Sequence, residues 1–145
     1  MLDANLLEAL KEPFDPKVIS WRVGATNKEK TKGIALAYID ARDVMKRLDD
    51  VCGLNWQSRY PFAGCCEIGI KIGDEWMWRA NGADETDVEG VKGQFSDAFK
   101  RAAVLWGVGR YLYYLPNTWV ELDQYKKLKT IPPLPKWALP KPKGK

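Results

Sequence analysis

Residues 90–116 read GVKGQFSDAFKRAAVLWGVGRYLYYLP, and the phase of this stretch decides the fold. Placed on a helix, Phe95, Ala98, Phe99, Ala102, Leu105 and Trp106 follow an i, i+3/i+4, i+7 rhythm and share one face. Lys100 and Arg101 fall on the other side, with Ser96 and Asp97 one turn earlier. Gly107 and Gly109 mark a break, and Pro116 stops any helix after the aromatic run Tyr111, Tyr113, Tyr114. A face this apolar anchors the helix in a core while the adjacent cationic pair points elsewhere. Taken alone, the pattern describes a core helix with a solvated Lys-Arg pair, so any function for that pair has to come from the rest of the chain.

Working outward toward the N-terminus, an acidic loop (83–89) precedes the helix, and before it three segments carry strand spacing: 55–62, 65–72 and 75–82. Gly73-Asp74 reads as the tight turn of a hairpin between the last two, and in the third strand Trp76 and Trp78 share one face. Asp40 is a good N-cap with Asp43 in the first turn, and the helix it opens carries Ala41, Val44, Met45, Leu48 and Cys52 along one stripe up to Gly53. Two further strands, 17–24 and 33–39, form a hairpin around a polar segment, and residues 2–11 form a short amphipathic helix ended before Pro13. Toward the C-terminus, 118–123 is a short edge strand, and from Lys126 onward the chain is too proline-dense for a helix and reads as extended. The order predicts an α+β fold with a mainly antiparallel sheet: a hairpin, a helix and a three-stranded meander packed on a long C-terminal core helix. It also predicts one domain over residues 1–123 followed by a Lys/Pro-rich extended tail over 124–145.

Composition narrows the function. A chain of 145 residues, 46% hydrophobic, buries a core without metal or disulfide staples. Its apolar runs fall far short of a membrane span and its N-terminus lacks the pattern of a signal peptide, which predicts a cytoplasmic protein, in the bacterial host if phage-encoded. Cys52, Cys65 and Cys66 have no C-x-x-C spacing and read as reduced thiols. There is no histidine, which removes the commonest general base and the commonest metal ligand and weighs against hydrolase and metalloenzyme readings. Charge is uneven: residues 1–90 carry 16 acidic and 12 basic side chains, residues 91–145 carry 3 and 11. A basic C-terminal third on a near-neutral body points to a polyanion partner.

Three constellations bear on chemistry. Asp74, Glu75, Asp84, Glu85, Asp87 and Glu89 could hold magnesium for a nuclease, but they sit in turns and a loop, and a solvated acidic loop accounts for them. The cysteines lack a histidine to activate them as nucleophiles. The third is a set of cations interleaved with aromatics: Arg22, Arg59, Arg79, Lys92, Lys100, Arg101 and Arg110 against Trp21, Tyr38, Tyr60, Trp78 and Tyr111. Cations that track phosphates beside stacking platforms are the ordinary means of holding single-stranded nucleic acid, although several of seven tryptophans must be core.

The order of elements and particular residues resemble the single-strand annealing proteins of the Rad-fifty-two/Rad-twenty-two type, especially their compact phage versions. The matching pieces are S-W-R at Ser20–Arg22, A-Y-I at Ala37–Ile39, the helix 40–52 running into C-G-L-N-W at Cys52–Trp56, the strand pair 65–82, and F-K-R-A at Phe99–Ala102. They extend over residues 15–116. The resemblance implies an oligomeric ring whose basic groove holds single-stranded DNA, with Lys100, Arg101 and Arg22 on the backbone, Tyr38 near them and Lys92 two turns before the pair. It implies annealing of complementary strands in recombination and repair, with no cofactor, no ATP and no cleavage of DNA; a host single-strand-binding protein is a further candidate partner. Cys52 stands where long relatives carry an aromatic, and the acidic loop argues against a second, outer DNA surface. The alternatives are a protein that protects single strands without annealing them and, from another class, a magnesium nuclease using the 74–89 carboxylates.

Overall fold

The computed structural model describes the backbone of residues 2–83 and 90–142 and the side chains of 4–83 and 93–142. Its elements, in chain order, are α1 (Leu2–Lys11), β1 (Ser20–Thr26), β2 (Lys32–Tyr38), α2 (Ala41–Cys52), β3 (Trp56–Arg59), β4 (Cys65–Ile72), β5 (Glu75–Gly82), α3 (Gly90–Leu105) and β6 (Thr118–Glu121). The architecture is α+β and antiparallel throughout, as the element order predicts. The strands, however, form two three-stranded sheets, β1-β2-β6 and β3-β4-β5, where the sequence pattern suggested one. The chain divides into two compact units, Met1–Glu12 with Asp40–Arg110, and Pro13–Ile39 with Tyr111–Lys145.

In the first unit α2 starts where Asp40 closes a capping box: its carboxylate accepts from the Asp43 N–H at 3.1 Å and its own N–H donates to the Asp43 carboxylate at 2.9 Å. Val44 and Leu48 are the buried residues of the apolar stripe, whereas Met45 stays exposed. The Trp56 indole N–H donates to Asp49 at 2.8 Å and fastens β3 to the end of α2. In the meander, Trp56 lies opposite Ile70, and Ile68 opposite both Ser58 and Arg79. Opposed residues project to one side, so these side chains with Cys66 make the inner face, on which α3 lies: the Trp56 and Phe99 rings are 6.1 Å apart. Ala98, Phe99, Ala102, Ala103 and Trp106 are buried under α3, and the Trp106 indole N–H donates to the Ile68 carbonyl at 2.9 Å.

The helix ends as its glycines predict. The Val108 N–H reaches the Ala103 carbonyl and the Gly107 N–H the Val104 carbonyl, which is the paired hydrogen bonding of a Schellman cap with Gly107 at φ 97°. A side chain at Gly107 would meet the Lys11 Cγ at 2.5 Å, so glycine is required twice over. Arginines serve the other exposed carbonyls: Arg110 donates to Val104 and Leu105 at 3.1 and 2.9 Å, and Arg47 to Leu10 and Glu12 at the end of α1 at 3.0 and 2.7 Å.

In the second unit β2 is the central strand, with β1 and β6 at the edges. Ala35, Val120, Phe14, Ile19, Ile39 and Leu122 are among its buried apolar residues, and the Tyr111 hydroxyl accepts from the Phe14 N–H at 2.9 Å. Beyond β6, Leu122 bridges to Leu128, and the Asp123 carboxylate accepts from the Tyr125 and Lys127 N–H groups. These bonds, the Lys127 N–H foremost, hold its carboxyl below the ordinary aspartate value. Short 3₁₀ turns form at Arg110–Tyr114 and at Lys136–Ala138, and Ala138 of the second is buried. Among the described residues no helix is long and apolar enough to cross a membrane.

Candidate nucleic-acid interface

The burial of α3 on one side leaves Lys100 and Arg101 on the other. Arg101 is exposed and its Nε donates to Asp97, one turn earlier, at 3.3 Å. An exposed i, i+4 pair of this kind is worth about 0.3–0.5 kcal/mol, so Asp97 orients the guanidinium without committing it. Lys100 is half-buried. Arg101 also borders a cleft of about 540 Å³ lined by Phe62, Gly64, Asn81, Gly82 and Gln94, among others. Two backbone segments meet at this cleft: the Ala83 N–H donates to the Gly64 carbonyl at 2.7 Å, Gln94 donates to the Ala83 carbonyl at 3.0 Å, and a side chain at Gly64 (φ 83°) would meet Gln94 at 2.7 Å. Phe62, 68% exposed, stands at this cleft beside Arg101. Lys92 lies in the first turn of α3, and its side chain is outside the described residues.

Arg22 and Tyr38 belong to the second unit. Arg22 lies opposite Leu36 and Ser20 opposite Tyr38, so Arg22 and Tyr38 are diagonal neighbours on one face of the β1–β2 pair. Arg22 is exposed and Tyr38 half-buried. The structure thus brings together Arg22 with Tyr38, and Lys100 with Arg101, each set within one unit. The register adds what the sequence pattern did not single out: Trp119 lies opposite Ile34 and so shares the face of Arg22 and Tyr38.

Other members of the cation–aromatic set have structural partners. Arg79 donates to the Leu105 carbonyl at 2.6 Å and stacks 4.4 Å over Trp106, and Arg110 caps the same helix end. Arg59 lies 3.6 Å over Trp78 on the outer face of the meander and is paired with Glu67. Sequence spacing treats these arginines alike; only the carbonyls and rings they meet separate them. The Tyr60 ring packs edge-on to Phe95 at 5.0 Å, and partial burial, with Cys66 beside it, pushes its phenol up to about 12. The three thiols are free, and burial raises Cys52 and Cys66 above the ordinary cysteine value, the wrong direction for a nucleophile. Among the described residues no three acidic or cysteine side chains gather as metal ligands would. Of the acidic set, Asp84, Glu85, Asp87 and Glu89 lie outside the described residues.

Comparison with known proteins agrees with this element order. The model of the Rad52/22 family of double-strand break repair proteins matches residues 3–68 and 63–130. The chain belongs to this family. It is 35% identical over 143 residues to the single-stranded DNA-binding protein DdrA of Deinococcus radiodurans, an alignment that takes in 94% of this chain and 69% of that protein. The protein of the same name from Deinococcus deserti is also 35% identical, with 94% and 71% covered. No solved structure matches the chain. The family model takes in β1, β2 and all of α1 but Leu2, together with α2, the meander, α3 and β6.

Proposed function

We propose that this member of the Rad52/22 family binds single-stranded DNA and anneals complementary strands in recombination and repair, without ATP and without cutting DNA, as an oligomeric ring. The observation that carries the reading is the phase of α3: Ala98, Phe99 and Ala102 are buried while Lys100 and Arg101 turn away from them. Family membership and the likeness to the single-stranded DNA-binding proteins of Deinococcus support single-stranded DNA as the polyanion. Lys100, Arg101 and Lys92 of α3 and Arg22 of β1 are the proposed backbone contacts, with Tyr38 beside Arg22. Binding is assigned to residues 1–123, with 124–145 as a Lys/Pro-rich segment; a host single-strand-binding protein is the proposed partner beyond DNA and a second copy of the chain.

The test is Lys100→Ala with Arg101→Ala. Each lost phosphate contact lowers the salt slope of log K by about 0.7 for single strands, so the double variant drops by about 1.4 and binds weakly at physiological salt. Unchanged affinity and slope in a folded variant would remove α3 from the site. Annealing is read separately, from two labelled complementary strands with Mg²⁺ and no ATP. Faster duplex formation supports the full reading, binding without acceleration leaves only strand protection, and fragments instead of duplex would identify a nuclease.

A further inference from the structure

The face that carries Arg22 and Tyr38 continues onto the edge strand β6. Arg22 lies opposite Leu36 and Trp119 opposite Ile34, and alternate residues of one strand project to the same side, so Arg22, Tyr38, Leu36, Ile34 and Trp119 share one face. Trp119 is 52% exposed, while its neighbour Val120 points to the opposite face and is buried. Val120 is therefore the apolar anchor of β6, and the indole is left at the surface. Two residues on, Glu121 lies opposite Lys32 and holds the Lys129 ammonium at 3.8 Å. Arg22, Lys32 and Lys129 are all exposed. Arg22 and Lys32 thus share a sheet face with an exposed indole, and Glu121 of that face holds Lys129, which is the chemistry that fits an anionic chain bearing flat, stackable groups. Arg22 and Trp119 are two strands and two residues apart, about 12 Å, or about three to four nucleotides of a stacked strand.

We propose that Trp119 is a stacking platform for one base of the single strand whose backbone Arg22 contacts, with Lys32 and Lys129 beside it. The proposal rests on the single-strand binding argued above and adds a base contact to it. Every base has a π-face, so the contact is indifferent to sequence, and one stacked base fixes the strand's position on the sheet while its neighbours stay available for pairing.

The experiment measures oligonucleotide affinity of the full chain at several salt concentrations, with a normal strand and with a strand of the same length carrying abasic sites. Trp119→Ala weakens binding of the normal strand about 5- to 100-fold, the range of one lost base–aromatic stack. Its salt slope stays that of the wild type, because no cation is removed. Trp119→Phe recovers most of the affinity, and Trp119→Thr, which keeps a strand-forming side chain, loses as much as the alanine variant. On the abasic strand, wild type and Trp119→Ala bind alike. Wild-type affinity of Trp119→Ala for the normal strand would overturn the proposal. So would a loss accompanied by a changed sedimentation coefficient without DNA, which would make Trp119 a contact between copies of the chain. If the wild type itself bound no single strand, the broader function would fail with it; normal wild-type binding with an indifferent Trp119 defeats this inference alone.

Discussion

The two units bury their apolar side chains to different depths. In the first, Leu10, Leu48, Cys66, Ile68, Ala98 and Ala102 are wholly buried, and Trp106 is 2% exposed. In the second, Ala138 is wholly buried, but the larger Phe14, Ile19, Ile39, Val120 and Leu122 are nearly and not completely covered, and Tyr113, Tyr114, Trp119, Tyr125 and Trp137 stand more than half exposed. Helices α2 and α3 give the first unit two apolar stripes and a sheet face to close against each other, and the arginines at the helix ends satisfy carbonyls that closure would strand. The second unit is built from a three-stranded sheet, short 3₁₀ turns and connecting segments. One is built as a core, the other as a surface, and residues of the same type should behave differently in each.

The sharpest test uses one substitution at two places. Ile68→Ala removes a fully buried side chain from the centre of the meander and should cost about 2–5 kcal/mol, toward the upper end because a dense site collapses poorly around the void. Ile19→Ala, on a residue 7% exposed, should fall toward the lower end. Urea unfolding at constant m-value measures both. Equal losses would show that the two units are packed alike and would break the comparison. Next in size is Asp40→Ala, which removes the capping box of α2 but no core contact; about 1 kcal/mol is expected. A loss as large as that of Ile68→Ala would mean that the start of α2, and not the packed sheet, carries the first unit.

The sequence pattern made much of this visible, and its failures have physical causes. The ends of α1, β4 and β5 fall where Pro13 and the Gly73-Asp74 turn place them, and Asp40 caps α2 as its side chain predicts. The α3 stripe is buried at Ala98, Phe99, Ala102 and Trp106, but Phe95 is 42% exposed, packed edge-on to Tyr60 near the start of the helix. Ala103 is buried although it lies off the stripe, and a small side chain adds little to an apolar pattern. Alternation gives a strand its two faces but not its neighbours, so the division into two sheets, with β6 joined to β2 across more than eighty residues, was not legible. The same limit hid Trp119, whose company is a matter of register. Among the cations, Arg79, Arg101 and Arg110 look alike in sequence; Arg79 and Arg110 meet helix-end carbonyls, whereas Arg101 meets the exposed carboxylate of Asp97.

The smallest expected effect on stability is at Arg22, and it separates a surface built for binding from one that is merely solvated. Arg22 is exposed on β1, opposite Leu36 and diagonal to Tyr38. Truncating an exposed side chain away from caps, cores and networks changes stability by no more than about 0.5 kcal/mol, so Arg22→Ala should unfold at nearly the wild-type urea concentration. Its effect on binding should be larger: weaker affinity for a single strand and a salt slope lower by about 0.7, the loss of one phosphate contact. Arg22→Lys keeps the charge but replaces a planar, bidentate donor with a point charge, so it should restore the slope and only part of the affinity. This split between slope and affinity is what a bland surface cation would not show. If Arg22→Ala binds like the wild type with an unchanged slope, the β1–β2 face takes no part in holding the strand, and the exposed aromatics of the second unit need another explanation.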